Sequence, residues 1–543
     1  MIDDPNVLRG PNYLFEFGED ITMGKLIHDQ LISHSNKVAQ IQQETGEEVT
    51  FEQIYDKSCK LAVHLKRNGV KINDRIAICS ENNLGWSVPV CASLFVGASI
   101  CPLNHSYSKR ESVHTLNISK PKYIFVSPKT LSSMKNVVKD LSWSPTLVLT
   151  LNQPNEANVP SVDNLIANVT PVMLNNFEVT KVDIHEHIVS ILCSSGTTGL
   201  PKGVMHSDNN YLKSIQAMLD GSTNLASENQ VMIFLLPMFH SYCFNLVLMT
   251  LISGTKAIIF SSFQEKAFLE TIEKYKIEVM PLVPPLMLFL AKHPMVDKYD
   301  LSSLKTIWCG AAPLSSEIEQ AVKKRLNNPD IKQGYGMTEL TFSVLKNPLY
   351  DYKPGSVGKL IAGCLGKVVQ VDENESTSTK TLGPFCQGEL CFKGDVVMKG
   401  YCDDPTSTSA TIDKDGWLHT GDIGYYDNDG FFFIVDRLKE LIKYKGFQVP
   451  PAELEAIILT HPAVKDVAVV GLPDEVAGEL PLAFVVKQPN AEITAENILN
   501  YVNERVSNQK KLRGGVRFIE NIPKNPSGKI LRRELRNLLK SKL

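Results

Sequence analysis

The chain has 543 residues, 43% of them hydrophobic, a formal net charge of −3 and a pI near 6.5. That length exceeds what one hydrophobic core supports, so at least two domains are expected. The charge balance leaves no basic excess for neutralising a nucleic-acid backbone.

The 11 cysteines are scattered, and the closest pair, Cys386 and Cys391, has neither a second pair nor a histidine cluster to complete a zinc site, so buried free thiols are expected. The first ten residues carry acidic groups where a secretory leader carries positive charge, and secretion is not expected. In chain order, residues 75–80 and 123–127 read as buried strands with a helix over 84–97 between them. Residues 188–193, 257–260 and 306–309 repeat the strand pattern, which implies an α/β sheet. Residues 231–255 contain no charge and are long enough to span a bilayer, but Pro237, His240, Ser241 and Asn245 interrupt them; no transmembrane segment is expected. Ser316 and Glu319 form a capping-box pattern opening an amphipathic helix. Residues 425–435 look like a hairpin, and the charged stretch 436–440 after it is the candidate hinge. Beyond it a smaller mixed pattern predicts helices over 452–459 and 494–506 and strands over 467–470 and 482–486.

Three segments carry chemistry. Ser194-Ser195-Gly196-Thr197-Thr198-Gly199-Leu200-Pro201-Lys202-Gly203 follows a strand directly; its glycines let backbone amides approach an anion, its hydroxyls add donors, and Lys202 adds a point charge. It lacks the Gly-Lys-Ser/Thr spacing of the common phosphate loop, and a surface loop is the alternative. Gly334-Tyr335-Gly336-Met337-Thr338-Glu339 brings together an aromatic face, a hydroxyl and a carboxylate suited to magnesium, although alone it reads as a turn. Gly416-Trp417-Leu418-His419-Thr420-Gly421-Asp422 ends in an aspartate able to accept both hydroxyls of a ribose, or simply a solvated one.

Together with Asp436-Arg437, Lys443-Tyr444-Lys445-Gly446 and Pro523-Lys524-Asn525-Pro526-Ser527-Gly528-Lys529, these segments resemble the adenylate-forming enzymes: acyl-CoA synthetases, coumarate ligases and beetle luciferases. The resemblance covers nearly the whole chain and is nearest to the insect luciferase-like branch. It implies a large N-terminal α/β domain with associated β-structure over residues 1–435, a hinge over 436–440 at Lys439, and a small mobile C-terminal α+β domain over 441–543.

The same resemblance assigns Ser194, Ser195, Gly196, Thr197, Thr198, Gly199 and Lys202 to the phosphates of ATP, and Gly310, Ala311, Tyr335 and Gly336 to the surroundings of adenine. Asp422 and Arg437 are assigned to the ribose, Thr338 to the α-phosphate, Glu339 to Mg2+, and Lys529 to the α-phosphate and the attacking carboxylate. Lys443, Gly446 and Gln448 would face coenzyme A after the small domain turns. His240, Tyr242, Leu246, Thr341, Phe342 and Ser343 would line the acid pocket, with His240 a gate or orienting group. Bulky Phe342 and apolar Leu246 depart from the luciferase pattern.

The expected activity is therefore ATP-dependent activation of a medium- to long-chain fatty acid, followed by transfer to coenzyme A. A luciferase using the same first step is the alternative, and a catalytically inactive nucleotide-binding protein a third. The terminal Ser541-Lys542-Leu543 matches a peroxisomal address read by an import receptor, so a peroxisomal location is expected.

Overall fold

The computed structural model describes residues 4–18, 20–151, 158–194, 200–219, 225–348, 351–371, 380–445, 447–526 and 528–540. Ser195, Gly196, Thr197, Thr198, Gly199, Gly446, Ser541, Lys542 and Leu543 therefore lie outside the described residues.

The largest sheet has seven strands in the order Gly400–Tyr401, Lys202–Ser207, Ile188–Ser194, Ser99–Leu103, Arg75–Cys79, Tyr123–Val126 and Thr146–Leu149. Its last five strands run parallel. Helices cover such sheets on both faces, so their strands are apolar almost throughout; Ile76, Ile78, Ile100 and Phe125 are fully buried. The helix expected over 84–97 is a 3₁₀ turn at Leu84–Trp86 running into Ser87–Phe95. Every residue of both is buried, as befits a helix apolar on all sides.

A second sheet of four strands contains Val231–Phe234 and Lys256–Ile259, and a third of five strands contains Val279–Leu282, Thr306–Cys309 and Asp330–Tyr335. Residues 231–255 resolve into the first of these strands, a loop through Pro237, and the helix Ser241–Ser253, closed by Gly254 at φ +73. No helix among the described residues is long and apolar enough to cross a membrane. The antiparallel fourth sheet includes Gly388–Lys393, Leu418–Tyr426 and Phe432–Arg437, the last two forming the expected hairpin.

One local expectation is corrected. The helix Ser316–Arg325 is capped by Ser315, whose hydroxyl accepts from the Ile318 amide. Either serine has the right chemistry, and the capping role falls to Ser315 because Ser316 is already helical. Glu319 does not complete a capping box; it is fully buried and accepts from Gln333 and Lys323.

Residues beyond 441 build cores of their own. The long antiparallel pair Val464–Asp474 and Gly478–Lys487 alternates its side chains between two faces. Val467, Val469, Ala483 and Val485 pack with Leu454 and Ile458 of the helix Pro451–Leu459 and with Ile498 and Val502 of Ala495–Asn503. Ala468, Val470, Leu482 and Phe484 pack on the opposite face with Leu535 and Leu539 of Arg532–Lys540. The protein is thus mixed α/β, with a large N-terminal and a small C-terminal unit. Nine cysteines are buried, Cys193 is half-buried and Cys386 is exposed.

Candidate active site

The strands converge on one region. Ser194 ends its strand and pairs with Lys202 at the start of the next, so the Gly-rich segment is the connection of an antiparallel pair. Lys202 is fixed at the rim: its ammonium donates to Ser407 Oγ at 2.7 Å and lies 4.7 Å from the centre of the Tyr401 ring. Tyr401 in turn donates to Glu339 Oε1 at 2.9 Å. A tyrosine that the motifs did not flag therefore bridges Lys202 and Glu339.

Thr338 and Glu339 are buried in a short 3₁₀ turn after the strand Asp330–Tyr335. His206 is also buried, and its Nε2 donates to the Thr338 carbonyl at 2.7 Å. Burial pushes this imidazole down to about 4, so it is neutral at working pH. Next in the chain, Thr341 has φ +63 and ψ −60, and the Phe342 amide donates to the Leu340 carbonyl at 2.7 Å. This is the rare, strained form of γ-turn, unusual for a β-branched residue. It is held from both sides: Thr341 Oγ1 donates to the Val396 carbonyl at 2.7 Å, and the Asn245 amide donates to the Thr341 carbonyl at 2.9 Å. Gly336 makes the fold-back possible, because a Cβ there would fall 1.9 Å from the Phe342 carbonyl oxygen.

The acid-pocket candidates divide into two kinds. Tyr242 and Phe342 pack ring to ring at 5.7 Å, and Tyr242 OH donates to the Trp308 carbonyl. Ser343 donates to the Tyr335 and Leu345 carbonyls, and Leu246 is buried in the core. His240 caps its helix, Nδ1 accepting from the Tyr242 amide at 3.4 Å. Burial, reinforced by the charge of Lys529, drives its pKa down to about 3, so it acts as a neutral imidazole. Ala311, beside Gly310, is held at φ +71.

Asp422 and Arg437 face each other across adjacent strands. Tyr335 OH donates to Asp422 Oδ2 at 2.6 Å, and Arg437 Nε stands 3.4 Å from Oδ1. Burial and this carboxylate hold the Tyr335 phenol well above its usual range.

Lys529 arrives from the small domain. Its turn is closed by Asn525, whose side chain accepts from the Lys529 amide at 2.8 Å. The turn presses on the large domain: a Cβ at Gly528, where φ is +83, would meet Pro285 at 3.1 Å. Burial, with the charge of Arg437, brings the Lys529 ammonium down to about 8 against the raising charges of Asp422 and Glu339. Lys443 and Gln448 lie elsewhere, exposed on the hairpin Ile442–Tyr444 and Phe447–Val449, and Lys439 is exposed between the units. The arrangement brings Lys529, not Lys443, to Arg437, Asp422 and Glu339.

Cys391 is a buried free thiol with one histidine beside it. Its thiol lies 3.4 Å from His419 Nδ1, which is 2.9 Å from Glu389 Oε2. His419 stands 28 residues from Cys391 and 30 from Glu389, so local spacing does not reveal the group.

Residues 27–402 match the family described as AMP-binding enzyme, and residues 453–529 the AMP-binding enzyme C-terminal domain. The chain is 40% identical to luciferin 4-monooxygenase of Nipponoluciola cruciata over 99% of its length and 98% of that protein's. It is also 40% identical to 4-coumarate:CoA ligase 1 of Petunia hybrida, covering 90% and 88% of the two chains. Among solved structures, a red-emitting luciferase from Phrixothrix hirtus aligns with a TM-score of 0.72 at 37% identity over 99% of both chains. An anthranilate CoA ligase bound to anthranoyl-AMP has the same fold, with a TM-score of 0.87 at 23% identity over 97% and 99%. With both domains matched and full-length relatives at this identity, the chain belongs to the AMP-binding, adenylate-forming enzyme family.

Proposed function

We propose that this enzyme activates a medium- to long-chain fatty acid with ATP and transfers the acyl group to coenzyme A. The observation that carries the first step is the entry of Lys529 into a site already holding Asp422, Arg437 and Glu339. A carboxylate oxygen of the acid attacks the α-phosphorus, pyrophosphate leaves, and Lys529 and Thr338 stabilise the charge developing on the phosphoryl oxygens. Lys202, with the segment from Ser194, holds the departing phosphates, and Asp422 accepts the ribose hydroxyls. Glu339 is buried and, among the described residues, has one oxygen engaged by Tyr401, a donor set suited to a hard cation that takes its remaining ligands from phosphate and water. Bound there with Glu339, Mg2+ would neutralise phosphate charge.

In the second step the small domain turns about residues 436–440, bringing Lys443, Gly446 and Gln448 toward the site. The thiol of coenzyme A attacks the acyl carbonyl and AMP leaves. Neutral His240 orients the carboxylate without competing with Lys529 for it. The Tyr242–Phe342 contact favours a flexible acyl chain over a fused aromatic acid, which supports the fatty-acid reading. The second reading, oxidation of a luciferyl adenylate, draws on the similarity to luciferin 4-monooxygenases.

The test is coenzyme A consumption across fatty acids of graded length and coumarate-like acids, with light detection in parallel on luciferin. Thioester from fatty acids without light is the expected result. No pyrophosphate release with any fatty acid would overturn it. Ser541-Lys542-Leu543 supports a peroxisomal location through the import receptor; an N-terminal fluorescent fusion should be peroxisomal and become diffuse when Leu543 is removed.

A further inference from the structure

The strand carrying Asp422 leaves its ladder just before that residue. Glu389 pairs with Ile423 and Cys391 with His419, so two steps on one strand face four on the other. Thr420, Gly421 and Asp422 form this bulge, and the strand bends to present the aspartate. Backbone groups that lose ladder partners need others. Side chains supply them here: Thr420 Oγ1 donates to the Leu390 carbonyl at 2.8 Å and accepts from the Asp422 amide at 3.0 Å. Gly421, at φ +68, donates its amide to Glu389 Oε1 at 2.9 Å. Its carbonyl accepts from the amide of Leu438, inside the candidate hinge, at 2.9 Å.

Glu389 therefore holds the amide of Gly421, the residue before the nucleotide aspartate whose carbonyl meets the hinge, and its other oxygen is engaged by His419. We propose that Glu389 and His419 are positioning residues for nucleotide binding: His419 fixes Glu389, and Glu389 holds the Gly421 peptide so that Asp422 points at the ribose. The proposal rests on the reading of Asp422 as the ribose carboxylate.

The charges around His419 make the brace sensitive to pH. From the strand Gly388–Lys393 come Glu389 and the Cys391 thiol; from the turn before its own strand, Asp413 Oδ2 stands 3.6 Å from Nε2. Lys367, over the Trp417 ring at 4.4 Å, and Lys393, donating to the Asp415 carbonyl, are the nearby cations. The hydrogen bond from Glu389 raises the imidazole above its ordinary value despite burial, and the charges of Glu389 and Asp413 add to it. Below that raised value the imidazolium donates to Glu389 and is paired with Asp413; as pH rises through it one proton is lost and the brace on Glu389 slackens.

The experiment measures the ATP dissociation constant of the full chain from pH 6 to 9 for the parent, Glu389→Gln, His419→Gln and Asp422→Asn, with the KM for the acid alongside. Glu389→Gln should weaken ATP about tenfold, the value of one charge-assisted hydrogen bond, and leave the acid KM unchanged. His419→Gln keeps a donor but no titration, so its affinity should lose the part of the pH dependence that the parent shows beyond Lys529. ATP binding within twofold of the parent in Glu389→Gln, or an unchanged pH profile in His419→Gln, overturns the proposal. A profile that stays shifted after dialysis against a chelator and full restoration of magnesium also overturns it, since Glu389, Cys391 and His419 would then have been holding a different metal. Unaltered ATP binding in Asp422→Asn would instead refute the nucleotide site on which the proposal stands.

Discussion

Two lysines of the small domain, Lys529 and Lys443, occupy opposite surroundings. Lys529 sits in a turn pressed against Pro285 and feels the charges of Arg437, Asp422 and Glu339. Lys443 is exposed on a short hairpin whose nearest polar tie is its backbone amide to Glu479 at 2.9 Å. The seating of the small domain is therefore matched to one chemical step. Lys292 of the large domain donates to the Leu459 and Val464 carbonyls of the small one, polar contacts that the proposed turn of the domain would remake.

Four changes break or sharpen this contrast. Lys529→Ala removes the ammonium from the transition state and should slow adenylation about a hundredfold or more, read as pyrophosphate release. Lys443→Ala should leave adenylation within twofold and slow thioester formation roughly thirtyfold, through lost positioning alone. Phe342→Ala opens the wall beside Tyr242; the ratio of kcat/KM for a bulky aromatic acid over a fatty acid should rise about tenfold. The smallest effect is in pH. Lys529 is charged below about 8, so kcat/KM for adenylation, which reports the free enzyme, should fall as pH rises through about 8. The same limb should be absent from Lys529→Ala.

Much of the site was legible because its residues lie in short ordered segments: Ser194 and Lys202, Thr338 and Glu339, and Asp422 near Arg437 each carry their chemistry within a few positions or across one hairpin. The strand pattern of the large sheet was legible too, since parallel strands covered on both faces are apolar throughout. What escaped is what the fold brings together over long separations. His206 reaches Thr338 across 132 residues, Tyr401 reaches Glu339 across 62, and Glu389 reaches Gly421 only because a bulge turns that peptide aside. The γ-turn at Thr341 has no signature in residue type, since a threonine predicts the opposite backbone. The misplaced helix cap arose where Ser315 and Ser316 stand side by side and only the backbone distinguishes them.

The contrast between the two lysines is tested most directly by following ATP–pyrophosphate exchange and thioester formation in the same preparations of Lys529→Ala and Lys443→Ala. Loss of exchange in the first, and retained exchange with lost thioester formation in the second, is the expected result. Equal loss of exchange in both variants, or normal exchange in Lys529→Ala, would contradict it.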